Sequence, residues 1–189
     1  MSYEWNNKER LDTLKVGGDN DVLFFESDNE KAEVYIKDGD IEKVVCTSGG
    51  DTTVIGKDKM HHIVVGEGNS QRDVYHYLKP GGPAPFMRLG ITKHCGEGTW
   101  SSLPHSFELN PETGFEEVFF YLIEGTAGRA LQLGAGVWYD GSEVDDAWFV
   151  KDRTWSTVPM GYHPVVGEPG VSVSYIWAYL AKKKEWEKI

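Results

Sequence analysis

The chain has little of what makes several large function classes recognisable. Of its 189 residues only two are cysteines, Cys46 and Cys95, far apart and without a CxxC, which gives no disulfide framework and no zinc knuckle. No apolar run approaches the ~20 residues that a membrane helix needs, so no membrane partner is expected. The start, MSYEWNNKER, lacks the apolar core and small-residue cleavage site of a secretory signal, and a cytoplasmic location is the expectation. Positive charge is also short: 19 Lys and Arg face 30 Asp and Glu, a net charge of -11 that repels phosphate backbones and argues against nucleic acid as a partner. The one basic cluster, Lys182 to Lys184, reads as a solvated face near the C-terminal end of the sequence.

Glycine, in contrast, is plentiful at 22 residues, and it punctuates short β-branched and aromatic runs. Residues 1–18 read as a short polar helix or arm. Strands are then expected at 21–26, 32–37, 41–46, 52–55, 61–65, 72–78 and 87–94. Beyond them come the apolar run EVFFYLI, 129–133, 137–139, 148–150, 156–158 and 171–180, with a polar turn over 140–146. Asp38-Gly39 between two of these runs is a two-residue hairpin signal. Many short strands with Gly and Pro punctuation indicate an all-β sandwich or barrel. The Pro/Gly run KPGGPAPF suggests a division into an N-terminal strand-rich half, 1–79, and a C-terminal half, 80–189, that carries the site.

Chemistry-bearing residues concentrate in the second half. His105 and Glu108 lie in LPHSFE, Glu116 and Glu117 lead into EVFFYLI, and His163 lies in PMGYHPVVGEPG. A carboxylate entering a buried strand is expensive unless it is paired, protonated or metal-bound. His105, Glu117 and His163 would make a two-histidine, one-carboxylate set for a divalent metal, with Glu108 as a further oxygen. The plain alternative is a loop histidine, a strand cap and a turn histidine. Arg72 could fork onto a substrate carboxylate, or sit as an ordinary strand arginine. His76 reads as a hydrogen-bonded strand histidine, Cys95 as a packed thiol, and most of the tryptophans and tyrosines as core.

GTWSSLPHSFE, FEEVFFY, MGYHPVVGEPG and YIWAYLAKKKEW, with GNSQRDVYHYL before them, resemble the 5-deoxy-glucuronate isomerases and the related 4-deoxy-5-keto-uronate isomerases over roughly residues 66–189. The resemblance implies a cupin-like (jelly-roll) β-barrel in a compact two-half, bicupin-like arrangement with short terminal helical or irregular segments. It also implies a divalent metal (zinc, manganese, iron or nickel), a sugar-acid substrate, aldose–ketose isomerisation through an enediolate, and a homodimer. The family's ligands are a His-x-His pair after a proline, a glutamate opening the next strand, and a final histidine. Glu117 and His163 match the last two. The pair does not carry over. With a one-residue gap His105 is the first ligand and Phe107 replaces the second; without it Ser106 and Glu108 take both places. The gapped register gives the ligand set His105, Glu117 and His163. Glu108, Tyr162 and Lys93 are the candidates for the general base, with Arg72 and Lys93 as substrate contacts. Two other outcomes stay open: a metal-free cupin acting as a sugar-binding or structural barrel, and a cupin dioxygenase or epimerase.

Overall fold

The computed structural model describes residues 5–6, 8–101, 117–138, 141–158 and 160–181. The described chain is almost entirely antiparallel β structure, with two 3₁₀ turns at Lys8–Arg10 and Gly68–Ser70. Strands β1 (Lys15–Gly18), β2 (Val22–Glu26), β3 (Glu30–Lys37), β4 (Asp40–Ser48) and β5 (Asp51–Gly56) form one sheet in sequence order. The hairpin between β3 and β4 turns on Asp38 (φ 51) and Gly39 (φ 71). Positive φ at both positions is what a two-residue primed turn requires.

A six-stranded sheet follows, built from β6 (His61–Val65), β7 (Arg72–Leu78), β8 (Met87–His94), β9 (Glu117–Gly125), β12 (Trp155–Val158) and β15 (Val171–Leu180). Its order is β12-β9-β15-β8-β7-β6. A smaller sheet holds β10 (Arg129–Val137), β11 (Glu143–Lys151), β13 (Met160–Tyr162) and β14 (Val165–Gly167), with β10 bonded to the other three. Among the described residues no helix is long and apolar enough to cross a membrane.

The six-stranded sheet is the middle layer, because alternate residues of its strands enter two separate cores. Met87, Leu89, Ile91, Val118, Phe120, Leu122, Ile176 and Ala178 pack with Leu23, Phe25, Val34 and Val44 of the N-terminal sheet. Phe119, Tyr121, Ile123, Val173, Tyr175 and Trp177 pack instead with Ala130, Trp148, Val150 and Val165 of the four-stranded sheet. The second pairing is the all-β, jelly-roll-like sandwich expected from the sequence. Its two sheets lie face to face without a closed ladder.

Three expectations need correcting. The polar arm over 1–18 contains a strand, β1, which pairs with β2 through Lys15↔Glu26 to Gly18↔Leu23. The polar turn over 140–146 is largely strand, since β11 pairs with β10 along nine residues despite its acidic side chains. The seam between sheets does not fall at the Pro/Gly run either: β6 and β7, from the 1–79 half, hydrogen-bond onward to β8. The ladder passes across that run, and the sheet boundary lies between β5 and β6.

Candidate functional site

Glu117 opens β9, and its parity with Phe119 and Tyr121 turns it toward the four-stranded sheet. His163 follows β13 and reaches back from that sheet. The register Ala135↔Tyr162 and Gln132↔Val165, continued between those pairs, sets His163 opposite Gly134, which has no side chain to contest the space. His163 Nε2 and Glu117 Oε2 lie 3.3 Å apart, and both residues are buried. Two residues 46 positions apart in sequence thus meet from opposing sheets.

The imidazole is oriented by its other nitrogen. His163 Nδ1 donates to the Gly161 carbonyl at 2.7 Å, which leaves Nε2 as the nitrogen facing Glu117. The backbone behind it is held by Gln132, fully buried, whose Nε2 donates to the carbonyls of His163 (2.8 Å) and Pro164 (3.1 Å). Tyr121 in turn donates its hydroxyl to Gln132 Oε1 at 2.7 Å. Phe119 sets its ring 5.9 Å from that of His163. Burial pushes the Glu117 carboxyl up to about 8, so near neutrality it is mostly protonated and can share its proton with Nε2.

This donor pair fits a divalent cation: one imidazole nitrogen with a fixed tautomer and one carboxyl oxygen, close together and shielded from water. A third ligand has to come from elsewhere, since the described residues contain no group of three or more His, Cys, Asp or Glu able to hold a metal. His105, the third member expected from sequence, and Glu108 both lie outside the described residues.

The other expected site residues are not brought to this pair. Tyr162 shares the face of Ala135, opposite in parity to Gln132 and Ala130, and so lies on the outer side of its sheet. Lys93 alternates with His94 onto the face toward the N-terminal sheet, where its ammonium lies 2.8 Å from Asp40 Oδ2. Arg72 does face inward, but it pairs with His94 at the far end of the sheet, and its Nη1 donates to the Ser70 carbonyl at 3.0 Å. Cys95, expected as a packed thiol, is exposed and donates to Asp73 Oδ2 at 3.2 Å.

Sequence reasoning passed over three inward residues. Arg88 is 2% exposed on β8, and Tyr179 stands opposite both Arg88 and Glu117, so the three form one row across β8, β15 and β9. Asp146 on β11 pairs with Gly134, the residue that also faces His163. Arg88 left a detectable signal, a charge inside the apolar run MRLGIT; Asp146 in EVDDAW left none.

A wall of aromatic side chains continues from the pair. Trp177 lies between Phe119 and Gly90 in register and donates its indole N–H to Thr92 Oγ1 at 3.1 Å. A Cβ at Gly90 would meet the Trp177 ring at 2.5 Å, so only glycine lets the indole cross β8 and reach the His76 ring, 5.2 Å away. Further along the wall Tyr175 donates to Ser101 Oγ at 3.0 Å, within the TWSS segment.

Comparison with known proteins bears on this geometry. The model of the KduI/IolB family matches residues 11–189. The chain belongs to the KduI/IolB family. It is 30% identical over 156 residues to the 5-deoxy-glucuronate isomerase of Geobacillus kaustophilus, covering 78% of this chain and 55% of that protein. It is 29% identical over 126 residues to the enzyme of the same name from Halalkalibacterium halodurans, covering 65% and 46%. The chain therefore spans about half the length of the curated relatives it matches. Among solved structures, an IolB-like protein from Salmonella typhimurium LT2 superposes with a TM-score of 0.58 at 19% identity, over 93% of this chain and 73% of that one, which supports the fold.

Proposed function

We propose that this KduI/IolB-family chain is a metal-dependent isomerase of a 5-deoxy-glucuronate-like sugar acid, converting aldose to ketose through an enediolate. The observation that carries the reading is the buried Glu117–His163 pair, 3.3 Å apart and supplied by opposing sheets, at the two positions that match the family's last two ligands. On this reading Glu117, His163 and His105 hold the cation. When bound, it would polarise the carbonyl and the neighbouring hydroxyl of the open-chain sugar.

The chain's own groups do the rest. Gly161 and Gln132 hold His163 so that Nε2 faces the ligand position. Phe119 and Trp177 exclude water, which strengthens every charge interaction inside. A carboxylate must take the proton from the hydroxyl-bearing carbon and return it to the adjacent one, while the hydroxyl proton crosses between the two oxygens. Asp146, inward and next to Gly134, is the group we assign to that transfer; Glu108 is the alternative from the sequence. A cytoplasmic homodimer belongs to the same proposal.

A metal-free sugar-binding barrel is the second reading. It is favoured by one observation, that a protonated Glu117 and His163 satisfy each other without a cation. Metal analysis of the purified protein, alongside an isomerisation assay on 5-deoxy-glucuronate, separates the two. The isomerase reading expects near-stoichiometric metal that is lost in a folded His163→Ala, with turnover lost alongside it. Metal far below one equivalent, with no turnover after loading, sinks it. Asp146→Asn should keep the metal and lose most of kcat.

A further inference from the structure

We propose that Arg72 and His94 form a second binding site, for a small 2-hydroxy acid, at the end of the six-stranded sheet away from Glu117 and His163. The assignment does not rest on the isomerase reading. Arg72 on β7 and His94 on β8 are direct partners in the antiparallel ladder, so both side chains leave the same face, with Cβ atoms about 5 Å apart. The β8–β15–β9 register, extended one residue past Ser174↔Lys93, carries their row through Val173 to Ile123. Ile123 lies six residues along β9 from Glu117, about 20 Å at strand rise. No small acid reaches both ends.

His94 is 7% exposed, and among the described residues its buried Nε2 has no hydrogen-bond partner. Thr99 decides the tautomer. Its hydroxyl donates to the Gly96 carbonyl at 2.9 Å, so toward His94 Nδ1, 3.3 Å away, it can only accept. Nδ1 therefore carries the proton and Nε2 the bare lone pair. Burial lowers the ring to about 4 against the hydrogen bond to Thr99, with the Arg72 charge adding to the fall, so the ring stays neutral at working pH. A buried acceptor left without a donor is destabilising, and a ligand hydroxyl removes that cost.

Arg72 is 8% exposed, and among the described residues it makes one hydrogen bond, from Nη1 to the Ser70 carbonyl at 3.0 Å, and no ion pair. Gly66 (φ 79) leaves room for that arrangement, since a Cβ there would meet the Ser70 carbonyl oxygen at 2.3 Å and Arg72 Nη1 at 3.0 Å. The guanidinium keeps its charge at any working pH, and an anion compensates it where a carbonyl dipole does not. The same charge bars a metal cation from His94 Nε2. The two groups together call for one molecule with a carboxylate for the fork and a neighbouring hydroxyl for the lone pair. A 2-hydroxy acid has both. The mostly exposed segments 66–71 and 95–98 flank the site and are tied together by the Cys95 N–H, which donates to the Gln71 carbonyl at 3.0 Å.

Calorimetric titration with glycolate, acetate and glycolamide tests the assignment, with EDTA present so that no acid is held through a metal. Glycolate has both groups, acetate lacks the hydroxyl and glycolamide lacks the charge. Wild type should bind glycolate about tenfold more tightly than either, the order of one buried or charged hydrogen bond. Arg72→Met should bring glycolate down to the level of glycolamide, and His94→Phe to that of acetate. If Arg72→Met does not fold, Arg72→Lys serves: it keeps the charge without the fork and should cut glycolate affinity about tenfold. His94→Phe removes the unpartnered atom and should fold at least as well as wild type. Glu117→Gln, at the other end, should leave all three affinities unchanged. A folded Arg72 or His94 variant that keeps the wild-type order overturns the proposal, as does a wild type that does not separate the three probes. Inorganic phosphate binding as tightly as glycolate overturns the choice of acid. Glycolate binding lost in Glu117→Gln but kept in the Arg72 variants puts the acid at the Glu117–His163 pair and rejects the second site. Absence of isomerase turnover, with the three-probe order intact, rejects the isomerase reading alone.

Discussion

The two faces of the six-stranded sheet are made from alternate residues of the same strands, yet they do different work. The face toward the N-terminal sheet carries Leu89, Ile91, Val118, Phe120, Leu122, Ile176 and Ala178, an aliphatic and aromatic layer to which Tyr77 adds a buried hydroxyl that donates to the Ile41 carbonyl at 3.2 Å. The opposite face carries Arg88, Thr92, His94, Glu117, Tyr121, Tyr175 and Trp177, and its polar atoms engage one another: Trp177 with Thr92, Tyr121 with Gln132, Glu117 with His163. Hydrophobic burial on one side can therefore support a polar, partly desolvated site on the other. One face is apolar packing; on the isomerase reading the other carries the chemistry.

Substituting one residue on each face should separate those roles most sharply. Leu89→Ala and Phe120→Ala remove fully buried volume from the outer face and should lower the unfolding free energy by about 2–5 kcal/mol, read by denaturant titration. The variants that fold should keep metal content and kcat. Glu117→Gln should do the reverse. The carboxyl is already largely protonated near neutrality, so a neutral isostere costs little stability, while metal affinity should fall by more than the roughly 100-fold that losing an orienting partner costs. Equal effects of the two kinds of variant on both readouts would break the comparison.

The strands were legible and their facing was not. The bounds expected for β6, β7, β8 and β15 are those observed, because each run is rich in β-branched or aromatic residues and closed by Gly, Pro or charge. In EVFFYLI both faces are buried, so no alternation announces which residues point inward. Glu117 and His163 were singled out by residue type and then matched by resemblance, and only the three-dimensional fold brings them within 3.3 Å. Arg72 was expected either at a substrate carboxylate or as an ordinary strand arginine, and nothing in a linear sequence reports the row a residue occupies. Lys93 and Tyr162 sit beside inward-facing neighbours, and strand parity alone turns them away from the Glu117–His163 pair. Asp146 was hidden for a different reason: acidic VDDA reads as a turn, and strand pairing with β10 overrides that preference.

Titration sharpens the comparison at intermediate size, because the inner face buries ionisable groups of opposite response. Burial raises Glu117 to about 8, and burial lowers both His76, helped by His61 and Lys79, and His94 to about 4. The raised carboxyl contributes stability that is complete below its unfolded value, near 4.5, and lost as pH rises through 8. The two histidines are held neutral, so their contribution is complete above 6.5 and lost as pH falls toward 4. The effects oppose each other between about 4.5 and 6.5, and of these three groups only the carboxyl still changes its contribution above 6.5. Metal-free protein should thus lose about 2 kcal/mol between pH 6.5 and 8, at roughly 1.4 kcal/mol per unit. Glu117→Gln should flatten that slope, and an added divalent cation should oppose it, because a ligand carboxyl binds in its ionised form. A slope unchanged in Glu117→Gln would place the titrating group elsewhere.

The smallest effect tests whether the two faces are independent at all. Asp40, at the start of β4, binds Lys57 at 2.6 Å and reaches across to Lys93 at 2.8 Å, tying the N-terminal sheet to the outer face of β8. Burial pushes its carboxyl up, but the hydrogen bonds and charges of the two lysines outweigh that and hold it below the usual carboxylate range. Its contribution is therefore present above the unfolded value, near 3.8, and fades as pH falls through the lower folded one. The partly exposed geometry limits the gain to about 1 kcal/mol or less, and salt screens part of it. Asp40→Asn should lower Tm by about 2–4 °C in low salt and by less at high ionic strength. On the isomerase reading turnover should stay at the wild-type value, since Lys93 and its neighbour Thr92 point to opposite sides of β8. If turnover fell while the protein stayed folded, the outer clamp would be setting the geometry of the inner wall. In that case the strand rows would move as rigid units, and the division of labour between the faces would be one of degree.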